Sequence, residues 1–151
     1  MPRSCGETSR CPPYTAAIDY HSTLAGVTSR ELQGFFGGWP NAPTSETLVR
    51  LLQVTDHFVL ARGADGHVVG FVTAMSDGVL SAYISLLEVL PGYRNRGIGS
   101  ELVRRILTQI GDIYMVDTLC DPELVPFYAR LGFSSATGVS VRRFDRQAGT
   151  S

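Results

Sequence analysis

Leu48, Leu51 and Leu52 recur at helical spacing, and so, further along, do Leu102, Val103, Ile106, Leu107 and Ile110, with Arg104, Arg105, Thr108 and Gln109 on the opposite side. These spacings predict amphipathic helices over residues 45–55 and 99–110. A further helix is expected over residues 29–36, separated from the 45–55 helix by the breaker Gly37-Gly38-Trp39-Pro40. A short helix over 127–131 should stop at Gly132. Pro126 lacks an N–H and would clash five residues into a helix capped by Asp121, so this helix should begin at Pro126 itself.

Apolar runs rich in β-formers predict strands over residues 14–20, 57–62, 67–76, 79 to about 89, 113–118 and 139–144. Ala64-Asp65-Gly66 and Asp77-Gly78 supply the turns between the central three, which therefore form an antiparallel meander. Strand, glycine turn, helix, strand then reads as a parallel crossover added to that meander. The expected class is α+β: one mixed sheet, an antiparallel N-terminal meander plus a β-α-β crossover, flanked by helices.

The chain has 151 residues, 44% hydrophobic and 18% charged, enough for one domain with a real core. Residues 1–13 read as a disordered extension, 14–146 as the domain and 147–151 as a frayed tail, because neither end offers periodic apolar residues to bury. A net charge of −1 gives no basic surface excess for nucleic acid or an anionic membrane. No apolar run approaches the ~20 residues of a membrane span, and the N-terminus lacks the apolar centre of a signal peptide, so a cytoplasmic location is expected. Cys5, Cys11 and Cys120 are an odd count without zinc-ligand spacing, which argues against both disulfides and metal. Cys120 reads as a small buried hydrophobe rather than a nucleophile.

The chemistry gathers at Arg94-Asn95-Arg96-Gly97-Ile98-Gly99, just before the 99–110 helix. The glycines permit positive φ and close ligand approach, and the helix start offers unpaired N–H groups, which together make an anion cradle. Ser100-Glu101 follows Gly99 where a Walker loop needs Lys and Ser or Thr, so a kinase or GTPase is disfavoured. Leu102 stands where a dinucleotide fingerprint wants a third glycine or an alanine, so a nicotinamide cofactor is disfavoured too. A pyrophosphate held by backbone amides remains.

Two segments, LLEVLPGYRNRGIGSELV at 86–103 and DPELVPFYARLGF at 121–133, together resemble the cofactor and C-terminal motifs of the GNAT superfamily of N-acetyltransferases. The resemblance runs from about residue 57 to 144 and is weak before it. Within the superfamily, GFVTAMSDGVLSAYISLLEVLP is similar to the plastid and cyanobacterial serotonin and lysine acetyltransferases. It implies acetyl-CoA as cofactor, with the pyrophosphate on the amides of Asn95, Arg96, Gly97, Ile98, Gly99 and Ser100. It also implies a pantetheine arm lying beside Leu87, Glu88 and Val89 as a false strand, and a bulge that splays this strand from the one at 113–118. Asp121 stands where the family often has an asparagine bonded to that arm. Arg94 and Arg96 read either as cofactor contacts or as solvated charges.

The resemblance implies direct acetyl transfer to a primary amine, a small molecule or a lysine side chain, through a ternary complex without a covalent enzyme intermediate. Tyr128 matches the family tyrosine that protonates the departing thiolate; alternatively it is a core aromatic beside Phe127. Tyr83 occupies the place of the usual glutamate base, which leaves Glu88 and Asp117 as candidate bases, or as solvated strand-edge carboxylates. The missing glutamate also leaves open a catalytically inactive CoA-binding sensor or partner subunit. A homodimer is expected from the resemblance and from the 139–144 strand, whose edge needs covering.

Overall fold

The computed structural model describes residues 17–150. Five strands form one sheet in sequence order: β1 (Asp19–His21), β2 (His57–Arg62), β3 (Val68–Ser76), β4 (Ser81–Val89) and β5 (Met115–Asp117). The first four pair antiparallel and β5 joins β4 parallel, which is the mixed α+β sheet the sequence implied. Asp77 fixes the β3–β4 turn, where one carboxylate oxygen accepts the N–H groups of Val79, Leu80 and Ser81. Those donors hold its carboxyl far below the ordinary carboxylate range.

Alternation along β2 sends Val59 and Ala61 to one face and Phe58 and Leu60 to the other, so each face carries its own apolar layer. Helix α2 (Ile98–Ile110) covers the first with Leu102, Val103 and Ile106. A side chain at Gly70 would come within 3.1 Å of Leu102, so this glycine lets α2 lie close on the sheet. Helix α1 (Ser45–Val54) covers the second face with Leu48 and Leu52, and its N-cap hydroxyl, on Thr44, accepts the Thr47 N–H.

The short C-terminal helix is a 3-10 turn over Pro122–Leu124 running into α3 (Val125–Ala129). Pro126 sits in the first turn of α3, where a missing N–H costs nothing. At the far end the Phe133 N–H donates to the Tyr128 carbonyl and that of Gly132 to Ala129, a Schellman stop.

Three expectations are corrected. Residues 29–36 form no helix but a series of turns, because Gly34 and Phe36 take positive φ, 93° and 60°, which a right-handed helix cannot contain. Residues 139–144 alternate like a strand but pair with no neighbour among the described residues; only Phe144–Arg146 is regular, as a 3-10 turn. Gln147 to Gly149 dock back on the body: the Gln147 side chain accepts the Asn41 N–H and the Gly149 carbonyl accepts from Arg50. The expected 14–20 strand is observed as Asp19–His21; residues 14–16, like the 1–13 extension, lie outside the described residues.

Candidate active site

The sheet holds a wedge. β4 and β5 pair only at Ser81–Met115, Ala82–Val116 and Tyr83–Asp117, and beyond Tyr83 the two strands part. The cause lies on the other side of β4: Thr73 pairs with Leu86 and Ala74 with Ile84, so Ser85 is an extra residue that bends the strand. Thr73 is fully buried, and its hydroxyl meets that of Ser85 at 3.0 Å, so the bulge leaves neither unpartnered. Thr118 closes the wedge apex by donating its hydroxyl to the Ile84 carbonyl at 3.0 Å.

The wedge runs into the start of α2. The Leu90 N–H donates to Val69 across β3, so strand alternation turns the backbone groups of Val89 and Leu87 toward the wedge. A 3-10 turn over Pro91–Tyr93 then reverses the chain, Asn95 takes φ 60°, and Gly97 caps α2 at φ 79°. The first intrahelical bond runs from the Glu101 N–H to the Gly97 carbonyl, which leaves the N–H groups of Ile98, Gly99 and Ser100 free of helix partners. A side chain at Gly97 would meet no protein atom within 4 Å; the glycine is there for its φ and for the open space before it. Leu87, Glu88, Val89, Arg94, Asn95, Gly97, Ile98, Gly99, Ser100, Asp121 and Tyr128 all border one groove of about 710 Å³.

On the far side of Leu87, Asp121, Leu124 and Tyr128, which border both, lies a second groove of about 490 Å³. Trp39, Leu119, Leu124 and Val139 give it an apolar wall, and Ser85, Cys120 and Arg142 add polar groups. Trp39 is 41% exposed and is steadied by the Phe36 ring at 5.0 Å.

Two ionisable groups have shifted affinities for the proton: Glu88, on the first groove, and Tyr128, which borders both. Both oxygens of Glu88 accept the Phe36 N–H, at 2.9 and 3.0 Å, and this contact carries the left-handed Phe36 backbone. Burial raises the Glu88 carboxyl above its ordinary value, and the Phe36 N–H and the positive Arg94 draw it part of the way back. Tyr128 is 7% exposed, its ring edge-on to Phe127 and Phe133. Burial raises its phenol above the ordinary value despite the neighbouring Thr118 hydroxyl, so the group is protonated at neutral pH.

The structure thus gathers most of the predicted site and leaves out two members. Arg96 stacks on the Tyr93 ring, 5.3 Å from its centroid, and does not border the groove. Arg94 borders it, with its Nε donating to the Val89 carbonyl at 3.0 Å. Asp117 pairs with Tyr83 at the end of the short ladder, exposed and outside both grooves. Sequence reasoning missed Phe36, Trp39, Ser85, Thr118 and Arg142. A signal existed only for Trp39, the single tryptophan in the chain, which reads in sequence as part of a breaker.

Among the described residues no cluster of His, Cys, Asp or Glu is placed to hold a metal, and no helix is long and apolar enough to cross a membrane. Residues 24–133 match the family described as "Acetyltransferase (GNAT) family". A solved protein of Deinococcus radiodurans R1, assigned as an acetyltransferase, is 57% identical over 89% of this chain and 94% of its own, with a TM-score of 0.87. The GNAT family protein SP0256 of Streptococcus pneumoniae TIGR4 is 27% identical over 84% of this chain and 98% of its own, with a TM-score of 0.69. Among curated proteins, histone acetyltransferase TAP1 of Glycine max is 28% identical, the match covering 65% of this chain and 47% of that protein. The N-acetyltransferase ycf52 of Pyropia yezoensis is 25% identical, covering 64% and 58%. The chain therefore spans about half the length of these curated relatives. An aminoglycoside N-acetyltransferase solved in complex with CoA shares the fold at a TM-score of 0.62 and 22% identity. A wedge opened by a strand bulge, an amide cradle at its mouth and a family match across both together place the chain in the GNAT family of acetyltransferases.

Proposed function

We propose that the protein moves an acetyl group from acetyl-CoA to a primary amine by direct transfer in a ternary complex. The observation that carries this reading is the junction of the two grooves at Leu87, Asp121, Leu124 and Tyr128, which gives donor and acceptor separate approaches to one point. The residues fit the cofactor: the free N–H groups of Ile98, Gly99 and Ser100 suit its pyrophosphate, and the wedge-facing groups of Leu87 and Val89 suit its amide-bearing arm. Bound there, acetyl-CoA supplies an acetyl thioester.

An alkylamine, with a reference pKa of ~10.4, must lose a proton before it attacks. Glu88 takes that role, directly or through water: its raised carboxyl accepts a proton more readily than an exposed one, and Phe36 fixes its orientation. Asp117, exposed on the sheet edge, is the lesser candidate. The Val89 N–H faces the place where carbonyl oxygen gains negative charge, and Arg94 secures it by gripping the carbonyl of the same residue. Tyr128 holds the proton that the departing sulfur takes. Asp121, at the junction, orients the arm or the amine. The free Cys120 thiol suits a reducing compartment such as the cytoplasm.

The test is incubation with acetyl-CoA and a panel of small amines and lysine peptides, following free thiol. Amine-dependent thiol release is expected. Saturable CoA binding with no amine-dependent release from any member would point to a CoA sensor instead.

A further inference from the structure

The groove that the proposed function gives to the acceptor is bordered by one cation and one anion, and they stand at different places. Asp121 lies at the junction with the cofactor groove, whereas Arg142 borders the acceptor groove alone. Neither belongs to an ion pair among the described residues. Trp39, Leu119 and Val139 supply apolar wall that is open to a ligand.

An arginine on an exposed segment is ordinarily a solvated charge. Arg142 differs in sitting on a segment fastened at both ends. At one end Gly138 packs against Leu119, just beyond β5, with no room for a side chain between them. At the other, the Gln147 side chain accepts the Asn41 N–H at 3.0 Å. Asn41 is two residues from Trp39, so the segment joins the Leu119 wall of the groove to the Trp39 wall.

These charges orient a guest. An alkylamine arrives as an ammonium and is drawn to Asp121 at the junction, where the acetyl thioester would meet it. Its body then lies along the apolar wall and its other end meets the guanidinium. A guanidinium matches a planar carboxylate through two parallel N–H bonds, while phosphate is generally read by clusters of cations, and this groove has one.

We propose that the acceptor is a small aminocarboxylate, its primary amine at Asp121, an apolar stretch against Trp39, Leu119 and Val139, and its carboxylate on Arg142. A lysine inside a polypeptide has its carboxyl group tied up as an amide, and so lacks the group that Arg142 reads. The identity of the reacting amine rests on the function proposed above; recognition of the carboxylate does not require transfer.

The experiment uses the ω-aminoalkanoates from butanoate to octanoate, each beside its neutral amide, because a distant end group scarcely alters the amine. Acetyl transfer is followed as kcat/KM on the wild type, Arg142→Gln and Arg142→Glu, and CoA-induced thermal stabilisation of each variant reports that it is folded. At the best chain length the wild type should favour the carboxylate over the amide by at least about tenfold, the scale of a hydrogen bond to a charged group. Arg142→Gln should bring that ratio close to unity, and Arg142→Glu should turn the preference toward the alkanediamine of matching length. Transfer to carboxylate and amide with equal efficiency by the wild type overturns the proposal and leaves the functional reading standing. So does a preference that Arg142→Gln leaves undiminished. If no member is acetylated, calorimetry of the same pairs in the presence of CoA decides. Tighter binding of the carboxylate, lost in Arg142→Gln, would uphold the recognition and refute the functional reading separately, and equal or absent binding would overturn the recognition as well.

Discussion

Removing the Tyr128 hydroxyl should separate rate from stability. Tyr128→Phe takes away one oxygen and keeps a ring packed at 4.9 Å from Phe127 and 5.3 Å from Phe133. Thr118 retains its bond to the Ile84 carbonyl, so no donor is stranded. The loss of stability should not exceed about 1 kcal/mol, the net value of one hydrogen bond. In a chain of this size that is a fall in Tm of about 2–4 °C. The effect on transfer should be larger. A reference phenol is ~1.5 pKa units weaker an acid than a reference thiol, an uphill gap of about 2 kcal/mol. Burial widens that gap, because it raises the phenol further. Tyrosinate therefore does not accumulate; the hydroxyl helps while the C–S bond breaks and regains its proton from water. General acid catalysis spans roughly 10²- to 10⁴-fold, and an uphill donor places Tyr128 near the lower figure. The assay is single-turnover acetyl transfer, with CoA affinity and Tm measured on the same preparation. The reasoning also requires full protonation of Tyr128 at neutral pH, so wild-type transfer should lose no acid function until the pH exceeds ~10. Near-wild-type transfer by folded Tyr128→Phe would refute it and leave the thiolate to water.

Glu88→Gln keeps an acceptor for the Phe36 N–H but removes the base, so transfer should fall by roughly 10²-fold or more, and the acidic limb of the kcat/KM profile should disappear. If the limb persists, Asp117 or water is the base. Because folding raises the Glu88 pKa, its favourable contribution is complete below the unfolded value of ~4.3 and is lost as pH rises through the folded one. The glutamine variant should thus gain stability over wild type at neutral pH, and urea titrations at several pH values would show that advantage shrinking on acidification. Gly97→Val should lose most CoA affinity by calorimetry. The left-handed backbone at φ 79° costs a β-branched residue about 1–2 kcal/mol, and the new methyls fill the cradle. Unchanged affinity in a folded variant would remove the 95–100 turn from the site.

What the sequence disclosed follows from how local each signal was. The α2 face, the β2–β4 meander and the Arg94–Ser100 cradle are written in consecutive residues, and all were legible. Pro126 was legible as a helix start because its missing N–H leaves few choices. The turns at 29–36 were not, because Phe36 takes a conformation that its own side chain disfavours and that the Glu88 carboxylate, fifty-two positions away, secures. The strand pattern at 139–144 was read correctly as a pattern, but pairing needs a neighbour and sequence periodicity names none. Trp39 and Arg142 share a groove through tertiary packing alone, so no spacing rule would have joined them.

The wedge between β4 and β5 makes the proposed cofactor a structural part as well as a reactant. The wedge-facing backbone groups of Leu87 and the N–H of Val89, whose carbonyl Arg94 already holds, would have been satisfied by a sixth strand and are left to water when nothing lies in the wedge. A ligand that binds only the folded chain stabilises it by about 2.7 kcal/mol at a hundred times its Kd. That is a large fraction of the ~5–15 kcal/mol that holds an ordinary domain together. Proteases that sample the opened chain would then cut it faster when acetyl-CoA is scarce. Metabolic supply would set the lifetime of this protein along with its turnover.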